Sequence, residues 1–233
     1  MTYIENKKCL LDINKYYQKY IDSNYNNSIY YYLNNKYSFE YYNKTIIINK
    51  LENKINLNLY NYKFITDVSM LGNIHTLNLC NCYNVKDVSM LGKVHDLDLS
   101  YCNSITNVSM LGNVHILNLS FNNNITDVSM LRNVYDLNLS YCNGITDVSM
   151  LGNVYKLNLS RCHKITDVNM LGNVHILNIS YCKNIKDVNM LKNVHTLFLH
   201  LCTFKTPIFY VILKIIYHIQ KFRTYFYVSN LYK

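Results

Sequence analysis

One unit of 20 residues is written seven times in succession without insertion, and this regularity constrains what the 233-residue chain can fold into. The segment Asp67-Val-Ser-Met-Leu-Gly-Asn73 returns with small changes at Asp87, Asn107, Asp127, Asp147, Asp167 and Asp187. From its first apolar position a unit reads Val94-x-x-Leu97-x-Leu99-x-x-Cys102-x-x-Ile105-Thr-x-Val108-x-x-Leu111. No unit can bury seven such side chains alone, whereas stacked units bury them against one another in a quasi-one-dimensional array. The alternation of Leu97 and Leu99 predicts one short strand per unit, and identical spacing stacks the strands in parallel about 4.8 Å apart. After Ile105 only eight residues lead to the next valine, too few for a full helix, so an extended segment or a single 3-10 turn is expected. The aspartate at the head of Asp-Val-Ser-Met is placed to cap that turn by accepting a backbone N–H.

The pattern divides the chain into residues 1–56, a helical or strand cap; 57–202, a solenoid of seven to eight coils; and 203–233, a basic Tyr/Ile-rich cap or tail. Terminal coils expose their apolar stack and need covering. Leu10, Ile13, Tyr17, Tyr20 and Ile21 suit an amphipathic helix, and Thr45 to Ile48 reads as a strand that could cover the first coil. At the other end Pro207 breaks the repeat. The formal charge of +9 lies mostly at the ends: +3 over 1–56, +1 over 57–196 and +5 over 197–233. The near-neutral middle carries no basic stripe, so the repeats are not expected to bind nucleic acid. The basic tail could meet a membrane surface, but its longest apolar stretch, Ile208 to Ile219, is shorter than the roughly 20 residues a span needs. No signal sequence is readable at Met1 to Leu11, so the expectation is a monomeric cytoplasmic protein with reduced thiols.

Strict periodicity turns every position of the unit into a column. Cys82, Cys102, Cys142, Cys162, Cys182 and Cys202, with Asn122 in the fourth place, read as buried weak donors to the backbone of a neighbouring coil. His75, His95, His115, His175 and His195, interrupted by Tyr135 and Tyr155, read as a surface stack. The methionines from Met70 to Met190 are expected to pack between coils, in preference to forming an adhesive convex ridge. The aspartates that head the turns are assigned to capping, since they lack the clustered oxygens of a calcium loop.

The unit Leu97-x-Leu99-x-x-Cys102 resembles the constant segment of the leucine-rich repeat family, L-x-x-L-x-L-x-x-N/C, and Asn122 is the exchange that family allows. Tyr62 departs from it in the first coil. The Cys-x-x-Ile-Thr-Asp wording is similar to the cysteine-containing repeats of F-box proteins, and Ile-Thr-Asp-Val-Ser to internalin-type repeats. Long identical arrays of AT-rich composition also resemble the leucine-rich repeat proteins of large DNA viruses such as insect poxviruses. The resemblance implies an α/β solenoid with a parallel concave sheet, and protein recognition through that sheet.

On the concave face the residues expected to carry recognition are Asp96, Ile116, Asp136, Lys156 and Ile176 in a varied row, and Asp98 in an asparagine-dominated row with Asn78, Asn118, Asn138, Asn158 and Asn178. Tyr101, Phe121, Tyr141, Arg161 and Tyr181 complete them as an aromatic row. Tyrosine and arginine are common interface anchors. No nucleophile pairs with a base, no glycine loop could cradle phosphate and no metal set has the right spacing, so neither catalysis nor a cofactor nor a metal is expected. The partner expected is another protein. Two further readings remain: an F-box-like adaptor of a ubiquitin ligase acting through residues 1–50, and a structural repeat protein with no dedicated partner.

Overall fold

The computed structural model describes residues 29–32 and 55–202. The amphipathic helix expected near residue 13, the strand at 45–48 and the tail from 203 lie outside the described residues. Eight of the strands follow the repeat: β2 (Ile55–Asn58), β3 (Thr76–Asn78), β4 (Asp96–Asp98), β5 (Ile116–Asn118), β6 (Asp136–Asn138), β7 (Lys156–Asn158), β8 (Ile176–Asn178) and β9 (Thr196–Phe198). β1 (Ile29–Tyr32), outside the repeat, pairs in parallel with β2. The nine form a single sheet in chain order. Register is locked to the period, with Leu77 opposite Leu97, Leu97 opposite Leu117 and so on to Leu197.

The return path of each coil is a 3-10 turn of three to five residues, from Ser69–Leu71 to Asn189–Asn193. Among the described residues there is no α-helix, and no helix is long and apolar enough to cross a membrane. The capping expectation holds: Asp67, Asp87 and Asp127 each accept the N–H two residues on at 2.9 Å, and Asn107 does the same at 3.0 Å. These bonds, first the one to the serine N–H and then the one to its hydroxyl, hold the carboxyls of Asp67, Asp87, Asp127 and Asp147 below the usual range. A folded pKa below the unfolded one contributes stability above the unfolded value and loses it as pH falls through the folded value. The melting temperature is therefore expected to drop below about pH 4. Asp127→Asn with Asp147→Asn, which copies Asn107 and keeps the acceptor, should reduce that drop; thermal melts from pH 6 to 2.5 measure it.

The core is one continuous stack from Leu57 to Leu199, built from the seven apolar positions of each coil. The cysteine column lies inside it. Each thiol donates to the carbonyl of a residue in the preceding coil: Cys102 to Leu79 at 3.1 Å, Cys142 to Leu119 and Cys162 to Leu139 at 3.0 Å. Asn122 supplies the same bond to Leu99 at 2.8 Å and a second to Leu119 at 2.9 Å. Its buried Oδ1 has no partner, a cost that a thiol avoids. Tyr62, the residue that departs from the column, is nevertheless buried with the rest.

The methionine expectation is overturned. Met90, Met110 and Met170 are 60 %, 60 % and 65 % exposed, so the column forms an outward ridge on the turn side. Val108 and Leu111 fill the inward positions of the turn and Met110 between them points out. Neighbouring turns also approach closely through backbone, where a Cβ at Gly112 would press on the Met130 carbonyl. Arg132 occupies that glycine position one coil later.

Candidate functional site

The solvent face of the sheet is bordered by two ladders of rings, one on each side of the strands. Before the strands, His75, His95, His115, Tyr135, Tyr155, His175 and His195 stack continuously, with successive centroids 4.4 to 4.7 Å apart. Parallel strands in register impose that spacing, so the surface stack expected from the sequence follows directly from the period.

After the strands runs the aromatic row. Tyr101 stacks on Phe121 at 4.2 Å and Phe121 on Tyr141 at 4.1 Å. The Arg161 guanidinium lies between Tyr141 and Tyr181, 5.1 and 4.1 Å from their ring centres. Tyr181 then meets His200 edge-on. All five residues adopt a left-handed backbone with φ between 59° and 64°. That conformation costs about 1 kcal/mol or more per non-glycine residue. What holds it is the continuing ladder beyond the strand, in which Tyr101, Phe121, Tyr141 and Arg161 donate N–H bonds to Ser120, Ser140, Ser160 and Ser180 at 2.9 to 3.0 Å. The sequence did carry a signal for this. Asn61 and Asn81 occupy the same position in the first coils, and asparagine is enriched in left-handed turns.

Between the ladders, the expected recognition rows divide. Asp98 and the asparagines are committed to their own coils: Asp98 Oδ1 accepts the Ser100 N–H at 2.8 Å and its hydroxyl at 2.6 Å. Asn118, Asn138 and Asn178 accept the corresponding serine N–H bonds at 3.0 to 3.1 Å. These acceptors shape the turn out of the strand, and the serines at 100, 120, 140 and 180 are themselves buried. The varied row faces solvent as expected. Ile116 is 41 % exposed, Lys156 is exposed, and Asp96, Asp136 and Ile176 are half-buried. Lys156 pairs with Asp136 at 2.8 Å across neighbouring strands, an exposed bond worth little stability. Asp96 Oδ1 lies 2.7 Å from His95 Nδ1, and its Oδ2 accepts a long 3.5 Å bond from the Thr76 hydroxyl.

A recess of about 370 Å³ opens on the opposite side, lined by Thr106, Asn107, Ser109, Asp127 and Met130 among others. No thiol or imidazole lines it. The ladder thiols are poor nucleophiles, since burial pushes Cys82 and Cys142 up to about 11 and Cys102 and Cys182 up to about 12.

A parallel sheet with one strand per 20-residue coil, 3-10 returns and a Cys/Asn ladder under the strand ends defines the internalin-like leucine-rich repeat solenoid. The sequence model of the Leucine Rich repeat family matches residues 113–132, one coil of this solenoid. A crystal structure of an internalin, inlF, from Listeria monocytogenes str. 4b F2365 is similar in fold, with 23 % identity over 64 % of this chain and 48 % of that one and a TM-score of 0.51. The functional domain of InlJ from Listeria monocytogenes, which includes a cysteine ladder, matches at 16 % identity over 65 % and 43 % with a TM-score of 0.33. The chain thus spans about half the length of these solved structures. No curated protein sequence matches it.

Proposed function

We propose that this chain is a noncatalytic recognition scaffold that binds another protein across the solvent face of its sheet. The observation that carries the reading is the ladder Tyr101, Phe121, Tyr141, Arg161 and Tyr181. It is partly exposed, and its side chains are fixed by mutual stacking on a backbone held left-handed. Anchors already ordered in the free protein lose little side-chain entropy on binding, so more of their contact energy becomes affinity. Tyrosine and arginine dominate interface hot spots for related reasons. Discrimination among partners falls to the neighbouring row, where Asp96, Ile116, Asp136, Lys156 and Ile176 differ while the scaffold around them repeats. Leucine-rich repeats commonly serve this role, which agrees with the geometry. A reducing cytoplasmic setting is part of the proposal, because the thiol ladder donates its bonds only while unoxidised.

The test is affinity capture with the full chain, followed by titration of the recovered partner against Tyr141→Ala/Arg161→Ala. Loss of both anchors is expected to weaken binding by at least about 2 kcal/mol, roughly 30-fold. Far-UV circular dichroism checks that the sheet persists in the variant. A partner bound equally well by the folded double variant would place recognition elsewhere on the chain.

A further inference from the structure

The N-terminal end of the histidine ladder differs from the rest in one respect: a carboxylate stands beside two stacked imidazoles. His75 and His95 stack at 4.7 Å with an interplanar angle of 14°. One ligand atom from each, together with one from Asp96, lie within 4.8 Å of one another. The two side chains of the closest pair, His95 and Asp96, are 48 % and 34 % exposed, open to solvent yet already oriented toward each other.

The hydrogen bonds around the cluster order it further. Asp96 Oδ1 accepts from His95 Nδ1 and its Oδ2 accepts from Thr76, whose hydroxyl oxygen lies 3.2 Å from His75 Nδ1. One carboxylate therefore organises both rings across two adjacent strands. In the metal-free chain these bonds hold the three side chains together; an ion bound by both groups would take the place of the proton shared between His95 and Asp96. The other carboxylate beside this ladder is differently engaged: Asp136 follows Tyr135 and is paired with Lys156. The far end of the ladder repeats the imidazole stack at His175 and His195, 4.4 Å apart, but there the neighbouring residue is Thr196. The chain thus contains its own comparison, two histidine pairs of the same geometry with a carboxylate at only one.

We propose that His75, His95 and Asp96 form a surface site for a divalent transition-metal ion of the zinc, nickel or copper class. Two imidazole nitrogens and one carboxylate oxygen are a borderline donor set that favours these ions over magnesium and calcium, which prefer oxygen ligands alone. Metal–ligand distances of about 2.0 to 2.2 Å require the three atoms to close in. Rotation of exposed side chains achieves this while the strands stay in register. The remaining coordination positions face solvent, in the manner of an open site. The sequence concealed the cluster because its members occupy two different columns, and the tyrosines replacing histidine at 135 and 155 argue against a ligand only in their own coils.

Isothermal titration of the full chain with Ni²⁺ or Zn²⁺ alone, under reducing conditions without chelator, tests the assignment. The expected result is saturable binding that includes one equivalent lost in His95→Tyr. That variant keeps the ring stack as Tyr135 and Tyr155 do, and so preserves the fold. Asp96→Asn should weaken the same equivalent by about 10- to 100-fold, while His195→Tyr leaves it unchanged. The electron paramagnetic resonance spectrum of bound Cu²⁺ should show coupling to two nitrogens and lose it in His95→Tyr. Absence of binding at 100-fold excess metal, or binding that His95→Tyr and Asp96→Asn leave intact, would overturn the site; so would equal affinity for Ca²⁺.

Discussion

Raising the pH from 8 to 11 is expected to unfold the solenoid, because its thiol ladder ionises far more readily in the unfolded chain than in the folded one. Burial is the main cause, opposed in part by neighbouring backbone hydrogen bonds. Cys82 and Cys142 are pushed to about 11 and Cys102 and Cys182 to about 12, from an ordinary 9.0. Cys162 is raised by burial as well, reinforced by its neighbours Cys142 and Cys182. A folded pKa above the unfolded one gives stability that is fully present below the unfolded value and is lost as pH rises through the folded value. The window therefore opens near pH 9 and closes near 11 to 12. Within it each thiol removes about 1.4 kcal/mol per pH unit, so several together are comparable to the roughly 5 to 15 kcal/mol that usually stabilises a domain. Far-UV circular dichroism against pH should show a cooperative transition starting above pH 9. Cys142→Ser and Cys182→Ser, which donate the same bond without ionising in this range, should move it upward. A sheet signal unchanged to pH 11 would mean that the thiols are less desolvated than their burial implies.

Leu139→Ala is expected to cost about 3 kcal/mol and to lower the melting temperature by about 6 to 12 °C. Leu139 is fully buried at the middle of the stack, in the column that also holds Leu119 and Leu159. In a nearest-neighbour array the loss weakens two coil–coil interfaces at once. The two halves should then unfold less cooperatively, and the transition should broaden as well as shift. A sharp transition with an unchanged midpoint would contradict the one-dimensional account of stability.

Much of the fold is legible before any coordinates. The 20-residue period dictates parallel strands in register, the eight-residue return excludes a full helix, and the Asp-x-Ser spacing supplies a cap for the turn. These are local or strictly repeated relations. The columns are legible in part. Cysteine burial and histidine stacking follow from position in the unit, but exposure of the methionines does not. Val108 and Leu111 take the inward positions of that turn, which leaves Met110 facing solvent. The asparagine row misleads for a related reason. Period-two alternation places Asn118 and Asp98 on the outer face correctly, yet their oxygens bond to the next turn of their own coil.

The sequence by itself determined the repeat, the stacked parallel sheet and the seven apolar core columns, because a period without insertions leaves one way to bury seven apolar positions per coil. Only the tertiary structure decided which outward side chains meet. It turned Tyr101, Phe121, Tyr141, Arg161 and Tyr181 into a fixed ladder by holding their backbones left-handed. It also brought Asp96 to His75 and His95 across a strand boundary. Neither arrangement is a property of one coil: each exists because residues 20 apart in sequence are neighbours in space, and the variation among them becomes chemistry only once the coils are stacked.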